Sequence, residues 1–402
     1  MSTPDYQVAL GRKIAEARHR RGLSQPELAR MIDRSVAWVS QVERGVRKVD
    51  RMSVLEMVAD ALEIPLSELA AEAPVVAAVN EEPPGAAALR LVLSGAWSLR
   101  AMLNGHSAPA PAEMRAAVGR AWSLTHDSRY ADLADLLRNL VPELATGARA
   151  VPDNQRTEMF ELLAAAYQAC SAALANLGEP EAAWIAADRG MAAAEQAGNP
   201  LLVAAGAFRL GLVFLGARYY LQAAEVAGTA ADALWRVADE GTPEAMSMWG
   251  ALTLQRAITA ANLGDATAAY GYLDRARPVA NLVGPGRNDF NTEFGPANVS
   301  LYEIAVAVEL GDAGRALRTA ESVDVTGLSA ERRARMLIDV ARAHAQRRQV
   351  RDAVATLLQA EQITPEQVRS HPLVRQTVAD LLAMQNSPSA ELVALSVRVA
   401  AP

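Results

Sequence analysis

A chain of 402 residues with 51% apolar side chains is long enough for two or more domains and apolar enough for a substantial buried core. Its single cysteine, Cys170, excludes an intrachain disulfide, fits a reducing compartment and reads as a buried small hydrophobe. With no leader-like N-terminus and no apolar run approaching the ~20 residues that span a bilayer, the chain is expected in the cytoplasm and away from membranes.

The first predicted elements lie between Leu10 and Leu66. Leu10, Ile14 and Ala17 form the apolar stripe of one helix. Leu28, Ala29, Ile32, Val36, Val39 and Val42 then recur at helical steps over two short segments, interrupted at Asp33-Arg34-Ser35. Ser24 is placed to cap the first segment, with Gln25, Pro26 and Glu27 completing a capping box. Ser35 is placed to cap the second, and Gly45 follows where a helix ends in a left-handed residue. Met52, Leu55, Val58, Ala59, Leu62 and Leu66 supply helices that close the bundle.

Over residues 8–70, LSQPELA, the helix ending in VERG and the stretch LEMVADALEIPLSEL resemble the phage-repressor and Cro type of helix-turn-helix, the XRE family. The resemblance implies that the second helix of the motif lies in the major groove of DNA. It implies a phosphate and register contact at Gln25 and places Val36, Ala37, Ser40 and Gln41 at the base edges, with Ser35 and Trp38 also among the DNA-binding residues. Gln41 is the best polar reader, because a glutamine amide bonds bidentately to adenine. Arg44, Arg47 and Lys48 then lie near phosphates, and Glu43 is the family's buried structural acid. Trp38 departs from the small or polar residue usual at its place and has either a DNA-facing or a structural role. From Ala9 to Arg51 eleven Lys or Arg stand against five Asp or Glu, a local balance of +6, whereas the whole chain stands at −7. A basic module on an acidic chain is the footprint of phosphate binding.

The proline and acid cluster APVVAAVNEEPPG, from Ala73, breaks the periodicity. The expected organisation is a DNA-binding domain over 1–72, a linker over 73–88 and a second domain over 89–402. In that second domain ANLGEPEAAW, VFLGARYYLQA, ANLGDATAAYGYLDRA, VELGDAGRALRTAE and AQRRQVRDAVATLLQAEQITP repeat an apolar residue, a turn and a small residue early in the next helix. Their turn residues are Gly178, Gly216, Gly264, Gly311 and Arg348, with a degenerate copy near Ser128. This resembles the tetratricopeptide repeat. The expected fold is all-α: a helix-turn-helix bundle followed by a tetratricopeptide-like α-solenoid of about six helix pairs.

Such a solenoid implies a concave groove lined by the first helix of each pair, a site for an effector peptide or small molecule. Carrying over the inward positions puts Gln168, Asn176, Arg209, Asn262, Asn298, Glu309, Arg342 and Gln346 on that face. Asn176 and Asn262 either bond a peptide backbone or cap the helix ends beside the turn glycines. The segment GPGRNDFNTEFGP, Gly284 to Pro296, is too rich in Gly, Pro and polar residues for a helix, and its Phe290 and Phe294 join Asn298 as candidate ligand contacts. The stretch FGPANVSLYEIAVAVELGDAGRAL resembles the same region in helix-turn-helix regulators with tetratricopeptide sensor domains from high-GC bacteria.

No spacing of His, Cys or Asp suits zinc, GPGRND lacks the order of a phosphate loop, and no cofactor or enzymatic activity is expected. His126-Asp127 reads as a surface pair. The leading expectation is a transcription regulator that binds a palindromic operator on double-stranded DNA as a homodimer. The alternative is an interaction scaffold whose small domain only dimerises.

Overall fold

The computed structural model describes residues 3–32, 34, 36–45, 52–64, 85–94, 110–237, 241–385 and 387–399. The chain divides into two compact units, Met1–Glu81 and Glu82–Pro402. Among the described residues every regular element is helical.

The first unit holds α1 (Thr3–Arg20), α2 (Gln25–Met31), α3 (Val36–Glu43) and α4 (Met52–Leu62). The start of α2 follows from its capping box: Glu27 takes the Ser24 backbone N–H at 2.7 Å, and the Ser24 hydroxyl accepts from the Glu27 amide. Gly45, at φ 69°, ends α3 in the left-handed conformation that glycine adopts without strain. Leu10, Ile14, Leu28, Ile32, Val39, Val42, Val58 and Leu62 are all but inaccessible and form one core. Each fully buried side chain of this size contributes about 1.5–3 kcal/mol. Helices α1 and α3 cross so closely that a Cβ on Gly11 would meet the carbonyl oxygens of Val42 and Glu43.

The second unit opens with α5 (Ala86–Val92), whose start lies inside the stretch expected as linker and whose Ala86 and Leu89 are buried in the core. Six helix pairs follow: α6 (Pro111–His126) with α7 (Tyr130–Ala150), α8 (Asp153–Asn176) with α9 (Pro180–Ala197), and α10 (Pro200–Gly216) with α11 (Tyr220–Val237). Then come α12 (Pro243–Asn262) with α13 (Ala266–Val283), α14 (Pro296–Glu309) with α15 (Ala313–Glu321), and α16 (Ala330–Gln346) with α17 (Val350–Ile363). The short α18 (Pro365–Ser370), α19 (Pro372–Ala383) and α20 (Ala390–Arg398) finish the unit.

One turn is repeated in all six pairs. A left-handed residue, Ser128, Gly178, Arg218, Gly264, Gly311 or Arg348, ends the first helix. The next amide donates to the carbonyl five residues back, as in Glu179 to Leu174 at 2.9 Å and Asp312 to Ala307 at 2.8 Å. Five residues beyond each left-handed position stands Leu133, Ala183, Ala223, Ala269, Ala316 or Ala353, every one 0% exposed, where the second helix presses on the first. The third turn therefore sits at Arg218, not at Gly216, which remains the last residue of α10.

The first helices stack in order, α6 on α8, α8 on α10, α10 on α12, α12 on α14 and α14 on α16. The row also closes on itself, since α16 touches α6. Across the closure the Ser128 hydroxyl donates to Gln367 at 3.1 Å, and Glu366 accepts the amides of Tyr130 and Ala131 at 3.0 and 3.1 Å. The second unit is thus a tetratricopeptide-like superhelix whose first helices stand around the segment between α13 and α14.

Candidate functional site

Helix α3 has two unlike faces. Val39 and Val42 hold it in the core, while Val36 is 44% exposed, Ser40 and Gln41 are half-buried and Arg44 is exposed. Its end is fixed from beneath: Arg18 Nε donates to Glu43 Oε1 at 2.6 Å and Nη2 to Oε2 at 3.0 Å, with both side chains 6% exposed. Arg18 also donates to the Leu23 carbonyl at 2.7 Å, locking the turn that leads into α2. Gln25 Nε2 donates to Glu43 Oε2 at 2.7 Å, so the first residue of α2 is tied to the last residue of α3. Burial works to raise the Glu43 carboxyl, but the hydrogen bonds from Arg18 and Gln25 outweigh it and hold the group below the usual carboxylate range.

In the second unit the segment between α13 and α14 lies against four first helices. Arg209 of α10 donates to the Asn291 carbonyl at 2.6 Å and the Phe290 carbonyl at 3.4 Å. Ser247 of α12 donates to Asp289 at 2.7 Å, and Arg332 of α16 donates to the Thr292 carbonyl at 3.2 Å. Glu293 accepts from the Ser329 amide and hydroxyl at 3.1 and 2.9 Å, and its Oε1 is 3.2 Å from Nδ1 of His126 on α6. Burial opposes ionisation of Glu293, yet the His126 bond, the Arg332 charge and the Ser329 amide bring its carboxyl down to about 2. The Phe294 ring enters the core over α12, where any Cβ on Gly250 would collide with it. Arg209 is 5% exposed and stacks 4.8 Å over the Trp122 ring; burial lowers its guanidinium to about 10.

Residues 9–71 match the family model described as a helix-turn-helix domain. The N-terminal unit is an XRE-type helix-turn-helix domain. The structure of Bacillus thuringiensis PlcR in complex with the peptide PapR7 and DNA aligns over 68% of this chain and 95% of that one, at 14% identity and a TM-score of 0.29. No curated protein matches the chain in sequence.

Within the helix-turn-helix domain, Val36, Ser40, Gln41 and Arg44 fall together on one face with Gln25 at its edge. Ser35, Arg47, Lys48 and the side chain of Ala37 lie outside the described residues. Trp38 packs partly against the core cluster of this domain.

The carried-over groove residues divide. Arg209, Phe290 and Asn298 meet at the loop, with Asn298 donating to the Thr292 carbonyl at 3.3 Å. Gln168 is buried between helices and donates to the Leu202 carbonyl at 3.3 Å, so it does not face an open groove. Asn262 donates to the carbonyl of Ile258 in its own helix at 2.9 Å, and Asn176 meets the Tyr130 hydroxyl, local uses of the kind that capping implies. Arg342 is held by Glu309 at 2.8 Å and Asp339 at 3.0 Å, and Gln346 donates to the Val308 carbonyl at 2.8 Å. Phe294 is a core residue at 1% exposure rather than a ligand contact. His126, read as a surface residue, is instead largely buried against Glu293. Glu293 carried no signal beyond the unusual composition of the loop, and Arg332, on α16, carried none.

Cys170 is fully buried, and burial pushes its thiol up to about 12, which removes it from thiolate chemistry. Among the described residues no group of three or more His, Cys, Asp and Glu is placed to hold a metal, and no helix is long and apolar enough to cross a membrane.

Proposed function

We propose that the chain is a sequence-specific transcription regulator in which α3 enters the major groove and the repeat unit senses an effector. The observation that carries this reading is the outward face of α3: Val36, Ser40, Gln41 and Arg44 are accessible while Val39 and Val42 anchor the helix. The Arg18–Glu43–Gln25 cluster adds rigidity at the helix end, which base reading requires. Gln41 reads an adenine edge, Val36 or Ala37 meets a thymine methyl, and Gln25, Arg44, Arg47 and Lys48 grip phosphates.

Two domains in a homodimer contact half-sites about one helical turn, roughly 34 Å, apart on a palindromic operator. The effector, a peptide or small molecule, acts through the central groove and changes operator affinity by about 1–3 kcal/mol, because it binds one of two dimer geometries better than the other. No step of this function requires catalysis, and its place is the cytoplasm. The test is selection of bound duplexes from a random-sequence pool by the purified full chain. Enrichment of an inverted repeat with that spacing supports the regulator; recovery of DNA without a common motif, or of no DNA, removes it and favours the scaffold.

A further inference from the structure

The loop between α13 and α14 is held in a backbone conformation that it would not adopt alone. Phe290, Asn291 and Glu293 have φ of 49°, 57° and 51°, a region that side chains other than glycine occupy at a cost and keep only where the surroundings impose it. Here the surroundings are the groove wall. Arg209 takes the carbonyls of Phe290 and Asn291, Arg332 takes that of Thr292, Ser247 takes the Asp289 carboxylate, and Ser329 with His126 takes that of Glu293. Main-chain carbonyls captured by donors from several helices, with carboxylates and a ring seated in the wall, are contacts of the kind that a bound peptide makes with its receptor.

We infer that residues 287–294 are a built-in peptide ligand of the groove, and that the external ligand which replaces them is an acidic peptide with a carboxylate where Glu293 sits; the second half rests on the effector-sensing reading above.

The internal ligand fits imperfectly. Arg209 has no carboxylate at ion-pair distance among the described residues, and its Nε and the neighbouring Trp122 Nε1 are buried donors without an acceptor. A buried donor left unmet costs stability, so a ligand that brings a carboxylate oxygen to this pair gains what the loop does not. The chemistry selected is anionic, because the donors the loop leaves unmet centre on a buried guanidinium.

Displacement also has a mechanical outcome. Glu293 joins His126 on α6 to Ser329 and Arg332 at the start of α16, the place where the row of first helices closes. Removing Glu293 takes away the tie that runs through the loop and leaves those made by Ser128 and Glu366, so a peptide that enters the groove loosens the closure of the superhelix without opening it.

The experiment uses the full chain and a synthetic peptide RNDFNTEF, residues 287–294, blocked at both ends so that its acids are side chains only. In a variant with this segment replaced by a Gly-Ser stretch of equal length, calorimetric titration is expected to show one-to-one binding. Wild type binds about 100-fold more weakly, since its tethered loop competes at millimolar effective concentration. The peptide with glutamine in place of its glutamate loses about tenfold or more. No binding by a variant that keeps its helical circular dichroism, or equal binding of the glutamine peptide, overturns the assignment.

Should that variant unfold, Glu293→Gln in the full chain decides: amide exchange at residues 290–293 rises if the carboxylate anchors the loop, and unchanged exchange refutes it. Operator binding is measured on the same preparations. Peptide binding without DNA binding upholds the internal ligand and removes the regulator, and DNA binding without peptide binding does the reverse.

Discussion

Substituting Glu43 by alanine should remove most of the stability of the helix-turn-helix domain while leaving the repeat unit folded. The carboxylate meets the Arg18 guanidinium through two hydrogen bonds of 2.6 and 3.0 Å at 6% exposure, and it also takes the Gln25 amide at 2.7 Å. Removing one partner of so buried a pair strands the other and costs about 3–5 kcal/mol. A domain of this size, at about 0.05–0.15 kcal/mol per residue, has only a few kcal/mol to lose. Amide exchange by mass spectrometry, read over peptides from residues 10–45, gives the local opening free energy directly.

Arg18→Met combined with Glu43→Leu should recover most of the loss, because an apolar pair of similar volume leaves no buried charge. Folded-state binding should still suffer, since Gln25 loses its anchor. A cost below about 1 kcal/mol for Glu43→Ala, the value of an exposed pair, refutes this account of the domain's interior. The carboxyl lies below its ordinary value, so its contribution is complete above about pH 4.5 and is lost as the pH falls towards the folded value.

Gly11→Ala should destabilise the same domain by about 1–3 kcal/mol, because the new Cβ would fall 2.7 Å from the Glu43 carbonyl oxygen and closer still to that of Val42; a thermal melt unchanged from wild type contradicts the close crossing of α1 and α3. Glu293, held down to about 2, should keep the loop protected from amide exchange above about pH 4.5 and release it progressively between there and the folded value, whereas release already near neutral pH means that the carboxylate is not the anchor. Arg44→Ala should weaken binding to all DNA alike and reduce the slope of log affinity against log salt by about one unit; an effect confined to one sequence would place Arg44 at a base instead.

The elements of the first domain were legible in the sequence because their signals are local: a capping box at Ser24, a left-handed Gly45 and a stripe of buried aliphatics. The repeat was legible through its small residues and three of its turn glycines. The turns at Arg348 and near Ser128 were legible from the flanking pattern alone, whereas Gly216 misled, because a glycine is tolerated in a helix and the left-handed place two residues on is filled by Arg218, a residue that composition does not flag.

The groove was harder to read for a different reason. Whether Gln168 faces a ligand or bonds Leu202 across a helix interface depends on a contact 34 residues away, and Phe294 is buried because Gly250 leaves room for its ring. His126 meets Glu293 only through closure of the superhelix. Local chemistry marks a loop as unusual, but which wall it touches is a property of the whole ring.

The central claim, that α3 reads bases through Gln41, is tested most directly by titrating wild type and Gln41→Ala against the selected operator and against operators changed at one base pair at a time, at fixed salt. The account predicts a loss of about 1–3 kcal/mol on the operator, with Gln41→Ala indifferent to one base pair per half-site and still discriminating at the others. An equal loss on every sequence, or none on any, would contradict it.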